Sequence, residues 1–529
     1  MPTGVGVVAR YGLPVLSGAL LALCFPPFHL VVLPFLALVP YAVWTEGLTD
    51  DDAGRRTAVR GSVALGAVYF GWIFHWVPLA LYAADPGIAA AGFAAGSYVL
   101  IVIGLTGLAG LFGGLLHHSV LRLGAPVWLA LPVVWTAFEW TRAHLPDSLA
   151  LPWLGLGTSL TAVPELAGAA EIVGGRGITF WLAVVNGLLA TAWIRRSRGA
   201  AVAAVGVVVA VAGWGVWRAD RLAPRTVARF AVVQPDIARG RKLEEGARSV
   251  DGVAGALPSV VEERPEGFSV QAASVDVVVL PELFLRADPR SPTVAGARHA
   301  IQEFSRAVGA PVIFGALGAD AYNSSFLMRA DGLDDYRYDK RRLVPVIERI
   351  PFQPGSSAYQ AGVGWPLAEV GGNRYGVFIC YESSYPEVAR AMRLQGADVL
   401  VNITNDAWLE GIGPLRRTVA LRPPPAHLVM RAIEGRVGVV RSAATGVSMF
   451  VDPVGRTHDV AEPGSREVRV ADVRTVDGLT VYHRYGDVVG TASAFVGFVL
   501  LAHLLLRGMG MGRPTRHRRS SLDPQGPRV

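Results

Sequence analysis

Charge, cysteine and above all lysine are scarce in this 529-residue chain. Asp, Glu, Lys and Arg make up 17% of it, against about 25% in ordinary globular domains. With 52% apolar residues, that excludes a disordered chain. The composition and a mean hydropathy of +0.39 point instead to a membrane protein with a soluble part attached. The two cysteines, Cys24 and Cys380, lie far apart in different kinds of sequence. They argue against a disulfide framework and against a cysteine-based metal site. His117 and His118 have no partner ligands at metal-binding spacing. Of the 49 basic residues only Lys242 and Lys340 are lysines. Where a positive charge suffices the chain uses arginine, so a surviving lysine is a candidate for a place that needs an amine.

The net charge of +7 would suit a nucleic-acid binder, but the placement of the arginines gives a different account. A membrane-crossing helix needs about 20 mostly apolar residues. Seven candidate spans precede residue 220, at 11–26, 29–45, 60–82, 89–116, 126–143, 177–194 and 200–217, and an eighth runs over 488–506. Pro26-Pro27 separates the first two as a tight helical hairpin. With the N-terminus inside, the inner segments and the tail carry fourteen arginines, and the outer loops among the first seven spans carry only Arg142 and Arg176. That bias makes the basic tail a topology signal, leaves no nucleic-acid partner, and puts the stretch between spans seven and eight on the extracytoplasmic side. Glu139, near the end of a span, is expected to reach the interface. The expected organisation is a helical membrane domain at 1–220, an extracytoplasmic domain at 221–487, a final helix at 488–506 and a basic tail at 507–529.

The inserted stretch has another texture. Strand candidates are Arg229–Gln234, Val275–Leu280, Pro311–Gly315, Tyr375–Ile379, Val399–Thr404, Gly438–Arg441 and Val447–Val451. Several are apolar on both faces, as in sheets covered on both sides. Thr293–Val308 and Tyr385–Gln395 have helical character, so the stretch reads as an α/β layered domain. Two strands run directly into reactive groups, Glu282 after VVVLP and Cys380 after YGVFI, and Lys340 comes after YRYD. A thiolate is a good nucleophile, and nearby positive charge lowers a thiol's pKa. A carboxylate can take the thiol proton, and an ammonium can stabilise the oxyanion of a tetrahedral intermediate. Together the three suffice for acyl transfer through a thioester.

On the motifs VVLPELF, YDKRRLVP, FICYESSYPE, VNITNDAW and HLVMRAIEGRVGVVRSAATGVS, residues 229–480 resemble the nitrilase, or carbon–nitrogen hydrolase, superfamily. The whole layout of seven helices, this domain and one last helix resembles the membrane-embedded branch, the apolipoprotein N-acyltransferase family. The resemblance implies an αββα sandwich. It also implies a two-step reaction in which a phospholipid acylates Cys380 and the free α-amine of a diacylglyceryl-modified apolipoprotein then takes the acyl group. It assigns Glu282 as base, Lys340 as oxyanion stabiliser and Cys380 as nucleophile. Glu348 matches a further glutamate near the thiol, Tyr381 and Glu382 match residues that shape the pocket, and Asn405 and Trp408 fall in the following loop. No cofactor and no metal is called for, and the expected form is a monomer in a bacterial cell membrane. The chain departs from the family at Val346-Ile347, where a Phe-Gly pair is usual, and at Leu243, the position nearest a tryptophan that some members carry. Two other readings share the motifs. A membrane-tethered amidase would release its product to water, and a transporter or lipid-binding protein would carry a decayed domain.

Overall fold

The computed structural model describes residues 7–84, 87–146, 149–236, 275–349, 358–409, 421 and 423–508. Leu243 and Lys242 lie outside these residues, as does the side chain of Trp408. The N-terminal part is helical: α1 (Val7–Leu23), α2 (Val39–Glu46), α3 (Asp52–Ile73), α4 (Trp76–Ala84), α5 (Ile88–His117), α6 (Val127–Ala143), α7 (Ala170–Arg195) and α8 (Arg198–Ala219). Among the described residues four helices are long and apolar enough to cross a membrane. They become five if α3 and α4, bent by 41° at their junction, are one span. The expected helices at 11–26 and 126–143 are present as 17-residue α1 and α6.

The expected span at 29–45 is corrected. That segment is a 3₁₀ turn at Leu33–Phe35 followed by the eight-residue α2. Pro34 and Pro40 each stand at the start of one of these short elements. A proline lacks the N–H that would continue a helix and clashes with the preceding turn, so it begins helices and does not extend them. The expectation for Glu139 is corrected too. It is buried, and its carboxylate accepts from Trp135 Nε1 (3.1 Å), the Leu156 N–H (2.7 Å) and the Thr179 hydroxyl (2.9 Å). A buried carboxylate with three donors is a structural anchor, here for the strap of chain after α6.

The described residues between 225 and 475 include two six-stranded sheets. The first has order β12-β1-β2-β3-β4-β5, the second β11-β10-β9-β8-β7-β6. The strands are β1 (Arg225–Gln234), β2 (Val277–Val279), β3 (Val312–Gly318), β4 (Tyr322–Arg329), β5 (Gly332–Asp339), β6 (Ala368–Val370), β7 (Asn373–Ile379), β8 (Val399–Thr404), β9 (Gly438–Ala443), β10 (Met449–Val451), β11 (Thr457–His458) and β12 (Glu467–Thr475). Strands β1, β2 and β3 are parallel neighbours, as are β7, β8 and β9; the remaining pairings are antiparallel.

Period-two alternation decides which face goes where. Phe230 and Val232 of β1 enter the core shared with the second sheet, where Phe230 meets Tyr375 edge-on at 5.1 Å. Ala231 and Val233 point the other way, into a cluster with Ala297 and Ile301 of helix α9 (Ala295–Val308). The second sheet's outer face carries α10 (Pro386–Leu394) and α11 (Pro423–Gly435), through residues such as Val388, Met392 and Leu428. The layers are therefore helix, sheet, sheet, helix. The chain then passes through the short α12 (Val481–Tyr485) into α13 (Val488–Gly508), which packs on α6.

Candidate active site

The two sheets bring three strand ends to one buried point. Glu282 follows β2, and its backbone lies so close to β3 that a Cβ on Gly315 would sit 2.6 Å from the Glu282 Cα. Only glycine admits that approach. Lys340 follows β5 and is fully buried. Its Nζ donates to Glu348 Oε1 at 2.8 Å and to Glu282 Oε1 at 3.3 Å. Glu282 Oε1 also accepts from Asn323 Nδ2 (2.6 Å), and Oε2 accepts from the Asn405 N–H (2.7 Å). Three donors thus fix the orientation of this carboxylate. Glu348 is held in turn by the Val344 N–H on Oε2 (2.7 Å).

Cys380 follows β7 with φ +54°, a left-handed conformation that a residue with a side chain adopts only under constraint. The constraint is Glu382, in the same 3₁₀ turn. Its Oε2 accepts from the Ile379 N–H (2.7 Å); its Oε1 accepts from Tyr338 Oη (2.8 Å) and from the N–H groups of Arg341 (2.8 Å) and Arg342 (3.1 Å). Glu382 therefore clamps the Cys380 turn onto the segment that carries Lys340. Glu382, which the resemblance places among the pocket-shaping residues, makes these hydrogen bonds to Tyr338 and to backbone N–H groups around Cys380.

Burial governs the charges. It pushes the Cys380 thiol up to about 12; Glu282 adds to the rise and Lys340 opposes it. The expectation of a thiol lowered by its positive neighbour is thus reversed in this resting state, because desolvation outweighs one ammonium that two carboxylates already engage. Burial also pulls on Lys340, but Glu282 and Glu348 outweigh it and hold the ammonium well above the ordinary lysine value. Glu348 is raised by burial against the pull of Lys340, and Glu382 is raised by burial against its N–H donors from Ile379 and Arg341. A buried thiol needs an adjacent base to ionise, and Glu282 is the carboxylate that couples most strongly to it.

Beside this cluster lies an apolar cavity with about 570 Å³ of empty space, its open mouth included. One wall is Val346, Ile347 and Tyr381; the other belongs to the helical part, with Ala80 and Leu81 of α4 and Ser97 and Ile101 of α5. Tyr381 stacks on Trp153 at 5.9 Å, and Tyr385 Oη donates to the Ala150 carbonyl at 3.1 Å. Among the described residues no group of three or more His, Cys, Asp or Glu is placed to hold a metal ion.

Two family descriptions divide the chain between them: "Apolipoprotein N-acyltransferase N-terminal domain" matches residues 17–188 and "Carbon-nitrogen hydrolase" matches 229–478. Over nearly its whole length the chain resembles apolipoprotein N-acyltransferases, and it is an acyltransferase. Relatives bearing the family name align over nearly their whole length. The Geobacter metallireducens protein is 27% identical, over 94% of this chain and 95% of its own. The Chlorobaculum tepidum protein is 26% identical, over 90% and 93%. The Gloeobacter violaceus protein is 28% identical, over 97% and 95%.

Of the residues singled out from sequence, Glu282, Lys340, Glu348 and Cys380 share one cluster, Tyr381 faces the cavity, Glu382 lies behind Cys380, and Asn405 reaches the cluster through its backbone N–H. Trp408 contributes backbone to the 3₁₀ turn Asp406–Leu409. Sequence reasoning missed the network beneath them. Arg441 on β9 is fully buried; its Nη2 donates to both Asp406 oxygens (3.0 and 2.7 Å) and its Nη1 to Asn402 Oδ1 (2.7 Å). Asn402 Nδ2 donates to the Cys380 carbonyl at 3.4 Å. One guanidinium thus ties the loop that holds Glu282 to the turn that holds Cys380. The available signal was a charged residue inside an otherwise apolar strand, since such a residue needs a partner.

Proposed function

We propose that this acyltransferase moves a fatty acyl chain from a membrane phospholipid, through a thioester on Cys380, to the N-terminal α-amine of S-diacylglyceryl-cysteine lipoproteins. The observation that carries the reading is the convergence of Glu282, Lys340 and Cys380 beside an apolar cavity walled partly by the helices. Glu282 takes the Cys380 proton as the sulfur attacks the ester carbonyl, and the Lys340 ammonium stabilises the oxyanion. Collapse breaks the ester C–O bond, and the departing lysophospholipid alkoxide takes the proton from Glu282. In the second half the lipoprotein amine attacks the thioester, Glu282 accepts a proton from nitrogen, and the C–S bond breaks; the departing Cys380 thiolate takes that proton from Glu282, leaving an amide and the free thiol. The arginine bias supports both termini inside and the catalytic domain outside, on the face of the membrane where lipoproteins are displayed.

Incubation with labelled phospholipid alone should leave label on the protein, removable by hydroxylamine and absent from Cys380→Ala. A diacylglyceryl-cysteine peptide with a free α-amine should chase it into a stable amide, and an N-blocked peptide should not. Label appearing mainly as free fatty acid under saturating acceptor would make the protein a hydrolase and sink the proposal.

A further inference from the structure

The reacting end of the apolar cavity has an unusual wall. Val344 to Glu348 form a tight loop: the Glu348 N–H donates to the Val344 carbonyl (2.9 Å) and the Val346 N–H to the Arg349 carbonyl (2.8 Å). At its tip Val346 has φ +67°. A β-branched residue in the left-handed region is a genuine outlier, and such strain persists only where the surroundings impose it. A glycine would satisfy the turn without strain. What the loop gains from branched side chains here is a stiff wall, because Val346 and Ile347 both line the cavity and their χ1 angles have little freedom. Their position in the chain sets which part of an acyl group they meet. Ile347 immediately precedes Glu348, whose carboxylate is 2.8 Å from Lys340 Nζ, and the same wall carries Tyr381, the neighbour of Cys380. The opposite wall, on α4 and α5, carries the small Ala80 and Ser97 together with the larger Leu81 and Ile101.

We propose that Val346 and Ile347 are specificity residues that select acyl chains by cross-section next to the carbonyl, admitting straight chains and rejecting those branched there, while the α4–α5 end accommodates length. The inference rests on the phospholipid-to-cysteine acylation proposed above. A close apolar wall discriminates one extra methyl group by about 10-fold or more, and stiff side chains cannot yield to it.

The test is a competition in which the full-length protein in detergent is given equal amounts of two phosphatidylethanolamines. One carries straight saturated chains; the other carries the same chains with a methyl branch on the carbon after the α-carbon. Intact mass gives the ratio of the two acyl adducts on Cys380, which is independent of overall activity. Wild type should favour the straight chain by about 10-fold or more, and Ile347→Ala and Val346→Gly should bring the ratio near one. Val346→Gly should unfold no earlier than wild type, since it relieves the left-handed valine. Ile347→Val, a one-carbon change, should give an intermediate ratio. Ala80→Phe should shift preference towards shorter chains and leave the branch ratio alone. Equal labelling of wild type by both lipids, or an unchanged ratio in the Ile347 variants, overturns the proposal while leaving the acylation reading intact. No adduct on wild-type Cys380 from either lipid refutes the acylation reading, and this inference with it.

Discussion

Replacing Lys340 by methionine keeps a side chain of similar length and removes only the charge. Lys340 is fully buried between Glu348 at 2.8 Å and Glu282 at 3.3 Å, and among the described residues no other cation pairs with either carboxylate. Removing one partner from a buried ionic group leaves an uncompensated charge and typically destabilises by about 3–5 kcal/mol. The deficit should depend on pH, in a direction that the surroundings of Glu348 set. Burial already raises Glu348, and Lys340 is the largest influence pulling it back. In Lys340→Met the rise grows. A carboxyl raised in the folded state contributes stability that is complete below its unfolded value, about pH 4.3, and that is lost as pH rises through the folded value. The variant should therefore approach wild type in acid and fall behind it towards neutral pH, by up to about 1.4 kcal/mol per pH unit across that window. Adding Glu348→Gln removes one of the two stranded carboxylates and should recover much of the loss. Thermal unfolding of wild type, both single variants and the double variant in one detergent, at pH 5 and pH 8, reads all of this. A Lys340→Met variant as stable as wild type at pH 8, or a double variant no better than the single, would mean that the lysine is not what balances these two acids. Lys340→Arg is the companion for activity. It keeps the charge, yet its planar fork cannot occupy the ammonium's place, and acylation should fall by about 10²–10³.

Alkylation of Cys380 by iodoacetamide should rise about tenfold per pH unit from pH 7 to pH 10, because burial pushes the thiol up to about 12; a plateau below pH 9 would contradict that. Arg441→Met should destabilise by about 3–5 kcal/mol, since it leaves Asp406 buried without its partner. Arg441→Lys should recover only part of this, lacking the fork that reaches Asn402 and Asp406 together, and full recovery would reduce Arg441 to a point charge. A reporter active only in the cytoplasm, fused near residue 330, should be silent; activity there would put the catalytic domain on the wrong side.

Legibility in the sequence tracked burial. VVVL, YGVFI and VLVNIT announce themselves as strands because both their faces are covered, and each ends at or near a residue of the site. Strand β4 did not, because it carries polar residues into the interior. Asn323 is fully buried to meet Glu282, and the buried Ser324 hydroxyl donates to Asp339 Oδ1 at 2.5 Å. Site requirements overwrote the strand pattern there. Strand β12 alternates but is charged along an edge, where loops look much the same. The segment 29–45 shows the opposite failure: composition read it as a span, and its two prolines decided otherwise. Arg441 was missed because its partner lies 35 residues earlier in the chain, a relation that no local pattern encodes.

The joint between the two halves bears on why this catalytic frame works as a transferase. Glu434 of α11 accepts the Gly175 N–H at 2.9 Å, just where Gly174, at φ +70°, breaks α7. Arg436 donates to Glu171 at 2.7 Å and to the Gly168 carbonyl at 2.8 Å. Both side chains are buried. A buried charge without its partner is destabilising by several kcal/mol, so sliding or lifting the sheets from the helices would strand groups on both sides. A hydrolase on a flexible anchor needs no such fit. The proposed thioester, which must survive until an amine arrives, needs its surroundings held closed to water, and the stack of Trp153 on Tyr381 places a residue of the helical half against the neighbour of Cys380. The helices are then a wall of the reaction chamber as well as an anchor, which accounts for a chain that commits so much of its length to them.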